Sequence, residues 1–282
     1  MSFAGRLAGG AIALAAACAV AAPAILAADQ ESGGIFAPAP SVPTVAYANT
    51  ELRKLLDRAP NLVIAGERLN VGLLQHFYAR HGFQPVWATR PAPANSLINA
   101  VLRAGEHGLA PQLFHANMLL SPTLPPLHRE LLLSDAFLSY ADALARGVMP
   151  VERRRDDQAL TPGPADAPAA LDAVITSPDP AAAIEALAPT TPTYRLLRQA
   201  LVAGNSSAAR SQAIKVNLER ERWLPRHLPP DRVWVNVADE RLVLYRDDRP
   251  IFATRVIVGQ DDDRNQSPEF QAIIDGVLFN PP

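Results

Sequence analysis

The spacing of apolar residues changes once along this chain of 282 residues, and that change limits what it can fold into. Up to Trp223 apolar side chains recur every three or four positions, the period of a helix with one buried face. From Asp231 they recur every second position, the period of a strand. The reading is α+β: a helical bundle over 49–203, a polar joint and one more helix over 204–230, then an antiparallel meander over 231–282.

The first helix is expected from Asn49 or Thr50 as cap, with Leu52, Leu55 and Leu56 on one face and Pro60 as the stop. Further helices are predicted over Asn70–His81, Ala94–Glu106, Leu127–Arg146, Ala167–Ile175, Pro180–Leu187, Thr193–Val202 and Ala208–Trp223. Gly82, Gly108 and Gly147 are placed as terminators. Phe83–Trp87 reads as a short extended piece. Strands are predicted at Val233–Val237, Arg241–Arg246, Ile251–Val258 and Glu269–Phe279. Nothing after them closes the sheet, so an unpaired edge is expected, and the sequence reads as cut off within a domain.

Arg6 is the only charge before Asp29, and Leu7–Ala28 is rich in Ala, Leu, Ile, Val and Gly. This describes a secretory signal or membrane anchor over 1–28, with Ala22-Pro23-Ala24 or Ala27-Ala28 as cleavage sites. Export to the periplasm is the expectation, with anchoring through residues 7–28 as the other outcome. Residues 29–48 read as a flexible linker. The single cysteine, Cys18, lies in the signal, and Ala15 stands where a lipidation motif needs Leu. Cleavage would leave a mature chain without a disulfide, a thiolate metal site or a cysteine nucleophile.

With 26 basic and 28 acidic residues the chain has no field to attract nucleic acid. The run Glu152–Asp157 mixes signs and reads as a solvated loop. His76, His81, His107, His115, His128 and His227 make no metal-ligand spacing, and each is expected at a boundary or on the surface. Gly259–Asn265 starts like a calcium loop, with Asp261, Asp263 and Asn265. It fails at Gln266, where Gly is needed, and at Ala272, where Glu is needed. No phosphate-binding glycine loop or serine-hydrolase elbow occurs. No cofactor and no metal site are expected. Asn205-Ser206-Ser207 and Asn265-Gln266-Ser267 are chance sequons.

Two stretches carry a resemblance. Asn217-Leu218-Glu219-Arg220-Glu221-Arg222-Trp223-Leu224-Pro225 precedes Val233–Val237. Leu242–Tyr245 leads to Arg255–Gly259 and ends in Val277-Leu278-Phe279-Asn280-Pro281. Their order resembles the opening of the catalytic domain of the large L,D-transpeptidases, the YkuD-type domain of the YcbB-like subfamily. His76-Phe77-Tyr78, Phe83–Trp87, Glu106–Leu109 and Asp135–Leu138 resemble that subfamily's helical scaffold domain. The resemblance implies a scaffold over 49–203, a linker helix over 204–230, and the first part of a catalytic domain over 231–282.

It also implies an exported transferase that cross-links peptidoglycan stem peptides. A cysteine thiolate attacks the donor carbonyl, a histidine activates it, and backbone N–H groups hold the oxyanion. The family's Ser-His-Gly-Cys motif lies beyond the position of Pro282, so no catalytic residue is assigned here and the chain alone is expected to be inactive. The family's helical wall-binding module is not found between the scaffold and the strands. The alternative is a non-catalytic exported scaffold or wall-binding protein. Trp223 and Trp234 fit a peptide cleft, or better, packing between the linker helix and the first strand; Tyr245 and Arg255 carry the same two readings.

Overall fold

The computed structural model describes residues 44–58, 61–154, 165–259, 265, 267 and 271–276. Five of the described helices start where a short polar side chain stands before a proline or a helix former. Asn70 caps α2 (Val71–Arg80) by accepting from Leu73 N at 3.2 Å. Asp166 caps α6 (Ala167–Thr176), and Asp179 caps α7 (Pro180–Glu185). Thr191 caps α8 (Pro192–Val202), and Ser207 caps α9 (Ala208–Glu221). Each cap accepts from the third residue on, satisfying an N–H the helix itself leaves open. Proline at the first turn costs nothing there, because its missing N–H would have had no partner.

α1 (Thr44–Arg58) begins five or six residues before the expected cap at Asn49 or Thr50. No breaker lies between Pro43 and Thr50, so nothing stops the helix from extending back over part of the expected linker. α3 (Pro91–Leu102) starts at Pro91 and ends before Gly105, and Ala104–His107 continues as a 3-10 turn rather than α-helix. Gly108, at φ +73°, ends that turn. A second 3-10 turn (Pro111–Phe114) and α4 (Ala116–Leu119) follow. So does the central helix, α5 (Pro126–Arg146), which packs on α2, α3, α4 and α6. Leu131, Leu132, Ala136, Phe137 and Leu138 of α5 are fully or almost fully buried, so this helix is the axis of the core. A small hairpin, β1 (Val63–Ile64) and β2 (Glu67–Arg68), turns through Ala65 and Gly66 at positive φ, the geometry of a two-residue hairpin loop.

The fold class is α+β. After α9 come β3 (Arg232–Asn236), β4 (Arg241–Arg246) and β5 (Arg249–Arg255), antiparallel in the order β3-β4-β5. Trp234 faces Val243, and Leu244 faces Phe252 across the ladders. The β4–β5 loop is Asp247-Asp248, both at positive φ, which aspartate tolerates better than most side chains. β5 starts two residues before the expected Ile251 and ends at Arg255 rather than Val258. Pro250 fits because an outer strand can lack one N–H. The expected fourth strand over Glu269–Phe279 is not formed over its described part, 271–276, where Ile273 and Ile274 stand exposed without a partner strand. The rest of it lies outside the described residues.

Ile214 and Leu218 of α9 join the same buried cluster as Leu52 of α1 and Leu171 of α6. No residue of β3–β5 does: Val233, Val235, Ile251 and Phe252 are all between 41% and 57% exposed.

Candidate functional site

The residues that carry the resemblance converge on two places. The first is the outer side of α5. Glu130 is buried there, yet its carboxylate accepts from Val86 N at 2.6 Å, Trp87 N at 3.0 Å and the Tyr78 hydroxyl at 2.8 Å. Ser134, one turn on, meets the Tyr78 hydroxyl at 2.7 Å and accepts from the Trp87 indole at 2.8 Å. Burial pushes the Glu130 carboxyl up, and the two backbone N–H groups pull it back. Burial and the Glu130 charge hold the Tyr78 phenol well above its ordinary range. The network pins Phe83–Trp87 to α5.

Beside it, His115 sits at φ +59° with Nε2 2.7 Å from Asp135 and Nδ1 3.0 Å from Glu67 of β2. The other Asp135 oxygen accepts from Asn70 N at 2.6 Å. Both ring nitrogens face carboxylates, so the ring holds both protons as an imidazolium. Desolvation lowers its pKa, but the bonds to Asp135 and Glu67 outweigh it and the net shift is upward.

The second place is where α9 meets the helical body. Arg222, 1% exposed, donates to the backbone carbonyl of His107 and, at 3.3 Å, to the Tyr194 hydroxyl. Its Nη1 pairs with Glu219 at 2.9 Å. Glu219 also accepts from Val148 N at 2.7 Å and Met149 N at 2.9 Å, closing the chain just after α5. A side chain at Gly147, φ +82°, would collide with the Glu219 carboxylate and the Trp223 indole. Glu221 accepts from the Thr191 hydroxyl at 2.7 Å; Arg226 donates to the Leu144 and Leu187 carbonyls. Four charged side chains after Leu218 therefore lock α9 in place, and this accounts for the polar sequence Leu218–Trp223.

Against this junction lies a cleft of about 530 Å³. Its walls come from α3, α7 and α8 (Arg103 just after α3, Ile184, Arg198) and its inner end from His107 and Tyr140. Arg198 pairs with Glu106 at 2.9 Å and with Glu185. His107, 3% exposed, has Nδ1 2.8 Å from the Tyr194 hydroxyl. Burial first, then the charges of Arg198, Arg222 and Arg103, lower its pKa to about 3, so the ring is neutral. A shallower groove at the sheet end is lined by Asp239, Arg241 and Arg255.

The histidines divide. His76 and His227 are exposed and His81 and His128 half-buried, but His107 and His115 are buried, against the expectation for all six. Both lie at turns that fold inward under α5 or α9, where a ring gains partners that its own segment does not reveal. His81 faces Asp172 at 2.6 Å. Trp223 packs under Arg154 and donates to Glu219, so it covers the end of α5. Trp234 is half-buried, and Tyr245 lies under Arg232. Arg255 pairs with Glu240 at 2.9 Å. Arg154 of the charge run bonds the Arg146 and Met149 carbonyls; Glu152 and Arg153 are exposed, and 155–157 lie outside the described residues. So do Cys18 and most of the Gly259–Asn265 loop. Among the described residues no group of His, Cys, Asp and Glu is placed to hold a metal ion. Among them, too, no helix is long and apolar enough to cross a membrane.

A family model described as a scaffold domain matches residues 72–201, the span of α2 to α8, and leaves α9 and the sheet outside. No curated protein matches the chain. The chain thus carries a region similar to a scaffold domain, with its polar networks spent on holding helices together.

Proposed function

We propose that this chain supports peptidoglycan L,D-transpeptidation: its helical body holds, through α9, the opening strands of a cysteine acyl-transfer domain. The observation that carries this reading is the uncovered sheet. β3–β5 alternate apolar residues on both faces, and both faces stand open, as they would where further strands or a second layer complete the domain. A finished domain would bury one face at least. The rigid junction at Arg222 and Glu219 supports it as well, since an acyl-transfer site needs its strands held in register.

The stem peptides, the periplasmic setting and the signal segment belong to the same proposal. The second reading, a non-catalytic exported scaffold, is favoured by the family match falling on the helical body alone.

The test is to read the coding region past Pro282 and to assay the resulting protein on a tetrapeptide stem. The proposal expects a Ser-His-Gly-Cys motif, release of the terminal D-alanine, loss of that release when the cysteine becomes alanine, and none from the 282-residue chain. A coding region without such a motif, or release by the 282-residue chain itself, contradicts it.

A further inference from the structure

We propose that His115 is a pH-sensitive clasp that closes the β1–β2 hairpin onto α5 and lets the tip of the hairpin go as pH rises. The clasp does not depend on the transpeptidation reading. His115 sits between the 3-10 turn Pro111–Phe114 and α4, with its backbone left-handed at φ +59°. Such a backbone costs free energy and persists where the surroundings fix it. Here both ring nitrogens fix it: Nε2 donates to Asp135 of α5 at 2.7 Å, and Nδ1 to Glu67 of β2 at 3.0 Å. The hairpin has two residues in each strand, too few to be stable alone. Leu62, Ile64 and Leu69 anchor it in the core. Between Ile64 and Leu69 no residue is buried, so the Glu67–His115 bond is what ties this tip to the helical body.

An imidazolium has two donors and a neutral ring has one, so loss of a proton costs the ring one partner. Asp135 is the partner that stays. Its side chain is 3% exposed, and its other oxygen already accepts from Asn70 N at 2.6 Å. Glu67 is 32% exposed and reaches water on release. Without its proton, Nδ1 turns a lone pair toward the Glu67 carboxylate, and two carboxylates are left beside one ring N–H, which drives Glu67 off. The tip then parts from the body while Asp135 keeps both the ring and the start of α2. Asp135 and Glu67 are the charges that act on the ring. The turn Pro111–Phe114, α3, α4 and the first turn of α2 carry no charged residue. On α5, Arg129 is turned to the Leu119 and Ser121 carbonyls, and Glu130 to Val86, Trp87 and Tyr78. Arg68, beside Glu67, is exposed. Burial lowers the ring's pKa, but the bonds to Asp135 and Glu67 outweigh it, which places the release above the ordinary value of about 6.5.

The test follows the whole 282-residue chain from pH 5 to pH 9 by nitrogen-15 NMR of the His115 ring and by amide exchange, with rates corrected for their intrinsic pH dependence. Ile64 and Glu67, which face each other across the hairpin, report on the tip. Their protection should fall at least about tenfold as Nδ1 loses its proton, with the same midpoint, while that of α5 holds. Glu67→Gln keeps a side chain that accepts from a protonated ring and donates to a neutral one, so its tip should stay protected to pH 9. Its ring should also lose the proton at lower pH, since one facing negative charge is gone. A ring still doubly protonated at pH 9, or tip protection that ignores the His115 midpoint, would overturn the clasp. So would a Glu67→Gln tip that opens with pH as the unaltered chain does. Protection lost in α5 at the same midpoint would mean global unfolding in place of local release, and would overturn it as well.

Discussion

His115 is held at a left-handed φ by carboxylates on both sides, and His107 is held neutral by burial and three arginines. The two respond to pH with opposite sign. The folded pKa of His115 is raised, so its stabilisation is complete below the unfolded value of about 6.5 and is lost as pH rises through the folded value. The folded pKa of His107 is lowered to about 3, so its stabilisation is complete above about 6.5 and is lost as pH falls toward 3. Thermal melts should therefore show a stability maximum near neutral pH. His115→Asn, which suits the left-handed backbone, should lower stability by about 2–3 kcal/mol at pH 6 and flatten the alkaline limb. His107→Gln should flatten the acid limb, where each unbalanced proton contributes at most about 1.4 kcal/mol per pH unit. An unchanged alkaline limb in His115→Asn would remove the imidazolium from the account. Neither role was legible in the sequence, because Glu67, Asp135, Tyr194 and Arg222 lie 20 to 115 positions from the histidines they meet, Arg222 at the His107 backbone carbonyl.

The helices themselves were largely legible. Their apolar stripes are long, and the starts predicted at Asn70, Ala167, Pro180 and Thr193 fall within a residue of those in the structure. β1 and β2 were not, since two residues each make no period. The docking of α9 was half legible: Ile214, Leu218 and position 222 form one stripe, but an arginine at its end hides that the stripe is buried. Arg222→Ala should cost about 3 kcal/mol in urea unfolding and expose the 204–231 segment to protease, while Arg210→Ala on the outer face should stay within about 0.5 kcal/mol. Gly147→Ala should cost about 2 kcal/mol, since both its φ and the Glu219 carboxylate reject a side chain. A Gly147→Ala protein of unchanged stability would mean that α9 does not close on the end of α5.

At the scale of the molecule, the core among the described residues runs from α1 through α9 and stops there. The sheet is hydrogen-bonded within itself and contributes nothing to the buried cluster. That part of the fold was legible as an open meander, and the register at Trp234, Val243 and Phe252 follows the alternation of two. Among the described residues the buried polar clusters at Glu130, His115 and Arg222 join segments far apart in the chain, so the spacing of apolar residues did not show them. Phe252→Ser should reduce binding of an apolar dye while shifting helix unfolding by less than about 0.5 kcal/mol. Loss of helical stability in that variant would show that the sheet is packed after all.

Amide hydrogen exchange on the 282-residue chain measures the arrangement most directly, because it reads α5, α9 and the sheet in one experiment. With a locked α9 and an uncovered sheet, α5 and α9 exchange only on global unfolding, and the amides of β3–β5 exchange at least roughly a hundredfold faster. Sheet amides as slow as those of α5, or α9 amides as fast as those of β5, would contradict a scaffold that holds an open sheet through one docked helix.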